Sequence, residues 1–143
     1  MTTTISPPPQ WSRRRAEKAR RLDQVRNLAD GVVLPSDKIV AALEALIAPG
    51  DRVVLEGNNQ KQADFLSRSL AKADPARLHD LHMIMPSVSR AEHLDLFEHG
   101  IARKLDFSFA GPQSLRIGQL LEDGLLEVGA IHTYIELYSR LLV

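Results

Sequence analysis

The sequence predicts an α/β fold, a parallel β-sheet covered by helices. One observation is the alternation of short, β-rich runs with helical segments at intervals of about twenty to thirty residues, which is the spacing of right-handed βαβ crossovers. The other is composition. A chain of 143 residues with 44% hydrophobic and 25% charged residues is typical of one globular domain with a core of its own.

The start of the chain is less regular than the rest. Residues 1–10 include Pro7-Pro8-Pro9 and have little to bury, so we expect a flexible arm, with the α/β domain at 11–143. The segment from Trp11 to Asp30 favours a basic surface helix, because it is rich in arginine and has only a thin apolar seam.

A further helix and four strands follow in order. Ser36 or Asp37 can cap the helix, which Pro49-Gly50 ends. The strands are predicted at 52–56, 81–85, 105–109 and 126–130, with helices between them around 63–70, 91–97 and 115–122. Residues 132–143 fit a buried helix, although strand alternation is an alternative. Because this apolar segment stops in mid-pattern, we expect an incomplete domain, either the front of a longer chain or one that a partner completes.

Charge and residue types exclude several classes of function. Eighteen basic and eighteen acidic residues give a net charge of zero, which argues against a surface built as a whole for nucleic acid or anionic lipid. The absence of cysteine excludes disulfides, thiolate metal sites and cysteine nucleophiles. We expect no signal peptide, because residues 1–10 lack an apolar core, and no apolar run is long enough to span a bilayer. We therefore expect a cytoplasmic protein with no membrane partner.

The most informative polar stretch follows the first predicted strand. In a parallel sheet, ligands bind outside the carboxyl ends of the strands. Here Glu56 is followed by Gly57, Asn58, Asn59 and Gln60, a carboxylate and a dense set of amides that open a helix. Amides offer donors and acceptors to a carbonyl or hydroxyl group, and the start of a helix favours an anion. A glycine turn with an Asx helix cap is the alternative interpretation.

A second polar loop follows the third predicted strand. Gly111 permits close approach of the backbone, Pro112 can start a helix, and Gln113 and Ser114 offer hydrogen bonds, so this loop could form the opposite wall of a site. A plain tight turn before a capped helix explains the same residues. Neither loop matches the glycine spacing of a dinucleotide site or a P-loop.

Catalytic residues are less well defined. Five histidines occur, but none lies in an H-E-x-x-H pair, and we expect no metal site. His82 lies in a predicted strand, where a role as a base competes with that of a hydrogen-bonded structural histidine. Glu56 is a candidate nucleophile, since a glutamate at the carboxyl edge of a strand can form an acyl anhydride, but the same residue can simply cap the turn.

Two long segments carry a resemblance to a known family. Residues 45–70, ALIAPGDRVVLEGNNQKQADFLSRSL, and residues 78–142, which include DFSFAGPQSLR, closely resemble the malonate decarboxylase alpha subunit. The resemblance implies a coenzyme A transferase-like fold. It also implies an acyl-carrier-protein transferase that exchanges acetate for malonate on the carrier thioester. The cofactor it implies is a phosphoribosyl-dephospho-coenzyme A group on the partner carrier subunit, with none bound by this chain.

The resemblance also bears on the site and the partners. Members of the family are longer, so this chain resembles their N-terminal part, the nucleophile is expected beyond Val143, and the isolated chain is expected to be inactive. The resemblance and the edge positions together predict the substrate-binding residues Gly57, Asn58, Asn59, Gln60, Gly111 and Gln113. The expected partners are the acyl-carrier subunit, the other malonate decarboxylase subunits, malonate and acetate, and association into a homo-oligomer stays open.

Two other functions remain as alternatives. The chain could be a non-catalytic assembly fragment of the same complex, docking through apolar surface near residues 141–143. The basic run from Arg13 to Arg26 could instead bind nucleic acid, whereas a solvated helix face partly paired with Glu17 and Asp23 explains the same residues.

Overall fold

The computed structural model describes residues 9–57, 64–133 and 135–136, and for residues 9–12 the backbone alone. The chain divides into two compact units, Met1–Ile47 and Ala48–Val143. The helices are α1 Pro9–Arg26, α2 Ile39–Leu46, α3 Asp64–Leu70, α4 Glu92–Glu98 and α5 Ser114–Glu122, and the strands are β1 Arg52–Val54, β2 Leu81–Ser87, β3 Ala102–Phe109 and β4 Glu127–Ile131. None of the helices described here combines the length and the apolar character that crossing a membrane requires.

The first unit is built from α1 and α2, which pack against each other. The basic run lies on α1, where Arg21 donates a hydrogen bond to the Glu17 carboxylate and Arg26 donates one to Asp23 over 2.7 Å. Arg21 also donates to the main-chain oxygen of Leu46, at the end of α2, over 3.4 Å. Part of the positive charge of α1 is therefore neutralised within the helix itself.

The second unit contains a four-stranded sheet in the order β1-β2-β3-β4. Each strand pairs in parallel with the next one. Right-handed crossovers that all advance in one direction place their helices on one side of a sheet, so α3, α4 and α5 share one face. In agreement, α4 contacts both of the other helices. The predicted α/β class and the parallel sheet are confirmed.

The two faces of this sheet differ in polarity, because alternate residues of a strand point to opposite sides. One set is apolar and buried and forms the core together with α4; it comprises Leu81, Met83, Met85, Leu105 and Phe107. The alternate set is polar at most positions and includes His82, Lys104, Asp106 and Ser108. Since the helices cover the apolar set, the polar set lies on the opposite face.

One arginine ties two of the covering helices together. Arg116 of α5 donates hydrogen bonds to Asp95 over 2.7 Å, to Glu98 over 2.9 Å and to the main-chain oxygen of Ala91 over 2.8 Å. The hydrogen bond from Arg116 lowers the pKa of Glu98, and the bond to Glu98 raises the pKa of Arg116. The helical layer is therefore held by charge-assisted contacts as well as by apolar packing.

Some element boundaries differ from the prediction. α1 begins at Pro9, inside the predicted arm. Proline is tolerated there because the N–H groups of the first helical turn have no hydrogen-bond partner within the helix. Neither Ser36 nor Asp37 caps α2; residues 36–38 form a 3-10 turn instead, and no side chain bonds to the start of the helix. β2 continues through Pro86 to Ser87, two residues beyond its predicted end at residue 85. It can do so because β1 ends at Val54 and no strand needs the N–H that Pro86 lacks.

Parts of two predicted segments, one at each end of the chain, lie outside the described residues. Residues 1–8 of the predicted arm lie outside the described residues. Of the segment predicted as a helix at 132–143, the structure describes 132, 133, 135 and 136, and it places 135–136 in a helix.

Candidate functional site

Gly57 marks the carboxyl edge of the sheet just beyond β1. A Cβ atom at this position would lie 1.6 Å from the main-chain oxygen of Ser87 and 2.7 Å from its carbonyl carbon. The N–H of Leu55 donates to the main-chain oxygen of Ile84 over 3.1 Å, and the Ser89 hydroxyl donates to the main-chain oxygen of Gly57. The chain that leaves β1 is thus pressed against the chain that leaves β2, and only glycine fits at the point of contact.

The second predicted loop is a 3-10 turn at Gly111–Gln113, directly after β3. Gly111 has a φ of 54°, a left-handed conformation that favours glycine, and a Cβ there would approach the Phe109 ring to 3.1 Å. The hydroxyl of Ser114 donates to the main-chain oxygen of Gly111 over 2.7 Å. Gln113 is half-buried, and its side chain makes no capping hydrogen bond to α5.

The two loops leave the sheet at the same edge but not side by side. β2 separates β1 from β3, and neighbouring strands lie about 4.8 Å apart, which puts about 10 Å between the loops. The segment after β2 occupies the interval, where the N–H of Val88 donates to the main-chain oxygen of Phe109 over 2.8 Å. The edge therefore presents three successive loops in the order of their strands.

The predicted side chains of the site are only partly described. Asn58, Asn59 and Gln60 lie outside the described residues. Glu56, the candidate nucleophile, is half-buried and interacts with other groups of the chain. What the structure describes of the predicted site is thus its main-chain scaffold at Gly57 and Gly111.

A buried imidazole lies just beyond the end of β2. His93 of α4 is 1% exposed, and this burial lowers its pKa, so the ring is neutral at pH 7. Within the described part of the chain, neither ring nitrogen of His93 nor the Nε of Arg90 has a hydrogen-bond partner. His93 is one of the five histidines of the sequence, and no local pattern predicted a role for it.

The structure also brings together three residues that are far apart in the sequence. The Nε2 atom of His82 in β2 lies 2.9 Å from Asp106 Oδ1 in β3, and the Nε2 atom of His132, directly after β4, lies 3.8 Å from Asp106 Oδ2. We call these three residues the His-Asp-His array. Of these three residues, the sequence alone suggested a role only for His82. The sequence signal for the array is the aspartate within LDFSF, since a carboxylate inside an apolar strand needs partners.

No group of three or more histidine, aspartate and glutamate side chains in the described ranges has the arrangement needed to hold a metal ion.

Comparison with known proteins identifies the family. The model of the family described as malonate decarboxylase, alpha subunit, transporter matches residues 10–143. The chain belongs to this family. The resemblance predicted from the EGNNQKQADFLSR and DFSFAGPQSLR segments is thereby confirmed.

Relatives of the malonate decarboxylase alpha subunit agree with this assignment. An acetyl-S-ACP:malonate ACP transferase of Malonomonas rubra is 46% identical over 131 residues, which cover 91% of this chain and 24% of the relative. The crystal structure of a Pseudomonas malonate decarboxylase hetero-tetramer in complex with malonate matches at 85% identity with a TM-score of 0.90. That match covers 96% of this chain and 25% of the solved one. The alpha subunit of a malonate decarboxylase from Acinetobacter baumannii matches at 73% identity with a TM-score of 0.89, over 93% of this chain and 25% of the other. The chain thus spans about a quarter of the length of these relatives.

Proposed function

We propose that this chain is the N-terminal part of the malonate decarboxylase subunit that exchanges acetate for malonate on an acyl carrier protein. The observation that carries the proposal is the 85% identity, over 96% of this chain, to a chain of the Pseudomonas hetero-tetramer that was solved with malonate. The name of the Malonomonas rubra relative, a transferase between acetyl-S-ACP and malonate, supports the same reaction.

The proposed chemistry is acyl transfer through a thioester. A carboxylate attacks the acetyl thioester, malonate displaces acetate from the resulting anhydride, and the carrier thiolate returns to take the malonyl group. Main-chain N–H groups at the carboxyl edge would stabilise the oxyanion of each tetrahedral intermediate. We place the nucleophile beyond Val143, with Glu56 as the alternative within this chain, and the substrate-binding residues in the loops that contain Gly57 and Gly111.

The proposal includes partners. The Pseudomonas relative is a hetero-tetramer, which supports contacts with other decarboxylase subunits, and the acyl carrier would bring the phosphoribosyl-dephospho-coenzyme A group. The cytoplasmic location stays a prediction. A non-catalytic assembly role remains the alternative, because the chain spans about a quarter of its relatives.

The experiment places this chain in the context of a complete complex. The matching segment of the Pseudomonas hetero-tetramer is replaced by this chain, and transfer of malonate to an acetylated carrier is measured. Asn58→Ala and Gln60→Ala are expected to lower kcat/KM at least about tenfold, which is the loss of one binding hydrogen bond, with thermal unfolding unchanged. Gln119→Ala removes an exposed amide on α5 and serves as the matched control. If both loop variants lose stability and keep full transfer, the loop is structural and the site assignment fails.

Trapping of an acyl group, with Glu56→Gln as the variant, distinguishes a transferase from a non-catalytic assembly fragment. Hydroxylamine trapping and intact mass measurement on the complete complex reveal which residue carries an acyl group. An adduct that persists in Glu56→Gln would support a nucleophile beyond Val143, whereas one that vanishes would move the chemistry to Glu56. Absence of transfer and of any adduct from an assembled complex would favour the assembly role.

A further inference from the structure

The His-Asp-His array surrounds a buried carboxylate on the polar face of the sheet. Asp106 is 3% exposed, and the imidazoles of His82 and His132 approach its two oxygens from neighbouring strands. A carboxylate in such a place is stable only when positive charge or hydrogen-bond donors compensate it. The two imidazoles contact the carboxylate oxygens, and the Lys104 side chain lies beside the same space.

Gly129 provides the space in which the array assembles. A Cβ at this position in β4 would lie 2.1 Å from Asp106 Oδ1, 2.7 Å from Lys104 Cε and 3.2 Å from His82 Nε2. The ladder between β3 and β4 is irregular at the same point, where the register shifts between Leu105 and Asp106. The backbone of β4 is therefore adapted to leave room for the carboxylate and its partners.

The array retains unused hydrogen-bonding capacity. The 2.9 Å contact between His82 and Asp106 permits charge attraction but is not aligned as a hydrogen bond. Among the residues that the structure describes, four buried polar atoms on this side of the sheet have no hydrogen-bond partner: His82 Nε2, Asp106 Oδ1, Ser108 Oγ and His132 Nε2. Native proteins pair more than about nine-tenths of such atoms, so a group from outside, water or ligand, is expected here.

The position of the array links it to the carboxyl edge. His132 follows the last residue of β4, and its main-chain N–H donates to the main-chain oxygen of Phe107 over 2.9 Å. Ser108 is the penultimate residue of β3, three positions before Gly111. The array thus extends from His82, near the start of β2, to the edge at which ligands of parallel sheets bind.

The position of His132 resembles that of an acid–base group. Its Nε2 is buried against the carboxylate, while 12% of the side chain stays exposed. A carboxylate behind one ring nitrogen, together with a partly exposed ring, is the arrangement in which a histidine can exchange a proton with a substrate.

We propose that His132, with Asp106 and His82 behind it, is the acid–base group that carries the proton of the carrier thiol during the acyl exchange. This inference rests on the function proposed above. The ligand class is a thiol, which leaves in one half of the reaction and returns in the other. His82 is a positioning residue, because it contacts Asp106 at the inner end of the array.

The proton balance is closed over the two half-reactions. In the first, a carboxylate oxygen forms a bond to the acetyl carbonyl carbon, the C–S bond breaks, and the sulfur takes its electron pair and the proton of the imidazolium. In the second, the neutral imidazole takes this proton back, the sulfur bonds to the malonyl carbonyl carbon, and a carboxylate leaves with the electron pair of the broken C–O bond. A free thiol has a pKa of about 8.5, so its return as a nucleophile benefits from such a base.

Other charged groups near the array define what must be controlled in a pH experiment. Lys104 lies beside Gly129 on the same face, Arg52 pairs in register with His82, and Glu136 lies close enough to His132 for the two charges to interact. Lys104 and Arg52 are unchanged in the variants below, whereas His132→Ala also removes the charge interaction with Glu136. Rescue by imidazole is therefore read together with the pH profile.

The test uses the complete Pseudomonas-type complex that carries this chain. His132→Ala is expected to lower kcat for malonate transfer about 100-fold or more, with the KM for malonate nearly unchanged and an altered dependence of kcat on pH. Added imidazole is expected to raise the kcat of His132→Ala at least about tenfold, which a purely structural residue would not allow. His99→Gln, on the surface of the helical layer with its Nδ1 2.9 Å from the main-chain oxygen of Ala71, is the matched control.

Each outcome decides the proposal. Full activity and an unchanged pH profile in His132→Ala overturn the proposed role of His132 and leave the proposed function intact. A folded His132→Ala variant whose loss of kcat is not rescued by imidazole overturns that role in the same way. If His132→Ala fails to fold, Asp106→Asn, which preserves shape, carries the test, and an unchanged kcat there overturns the proposal. Absence of malonate transfer from the wild-type complex refutes the proposed function and this inference together.

Discussion

Replacing Gly57 by alanine is the sharpest perturbation that the fold offers. Its Cβ would lie 1.6 Å from the Ser87 oxygen, and real Cβ atoms essentially never approach closer than 3.0 Å, so the two backbones must separate by about 1.4 Å. Overpacking of this kind costs about 1–3 kcal/mol. Separation also threatens the bonds from Leu55 to Ile84 and from Ser89 to Gly57, each worth about 1 kcal/mol.

The expected loss for Gly57→Ala is therefore about 3–5 kcal/mol, or about 10–17 °C in Tm for a chain of this size. Thermal unfolding followed by circular dichroism measures it. Gly118→Ala is the matched control, because nothing lies within 4 Å of a Cβ there and alanine favours the α5 helix, which predicts a small gain of up to about 1 kcal/mol. Equal Tm values for the two variants would refute the steric reasoning.

Three further predictions test other parts of the structure. Arg116→Met should lower the free energy of unfolding by about 2 kcal/mol, measured by denaturant titration, because it leaves Asp95 and Glu98 without their shared donor. Lys72→Met, at an exposed site, is the control and should change the free energy of unfolding by less than about 0.5 kcal/mol. Burial lowers the pKa of His93 in the folded state, so binding of a proton favours the unfolded state. The stability of the wild type should therefore be constant above about pH 6.5 and decrease as the pH falls further. His93→Leu should flatten this dependence in unfolding curves recorded from pH 7 to pH 5. A flat wild-type curve would contradict the burial argument. Gly129→Ala should displace the Asp106 carboxylate and reduce malonate transfer in the complete complex as His132→Ala does, and undiminished transfer would show that the array tolerates the displacement.

Much of the architecture follows from local sequence patterns. The four strands and the helices between them were predictable, because the change from β-rich runs to helical periodicity is a property of neighbouring residues. The polar loops after β1 and β3 were predictable for the same reason, whereas their role in substrate binding, which the family resemblance suggested, stays a prediction. The prediction was wrong for Pro86 and for the caps of α2, since both depend on what the adjacent chain leaves unpaired.

The sequence by itself determined the α/β class, the parallel pairing of the strands and the edge at which Gly57 and Gly111 lie. Only the tertiary structure decided that the strands run in the order β1-β2-β3-β4, that Ser87 leaves no room for a side chain at Gly57, and that Asp106 meets two histidines. These features depend on strand register, which places residues 24 and 26 positions from Asp106 within a few ångströms of it. The hydrophobic alternation of a strand determines which face each residue occupies, but which residues of two strands lie opposite each other also depends on how strands distant in the sequence pack together.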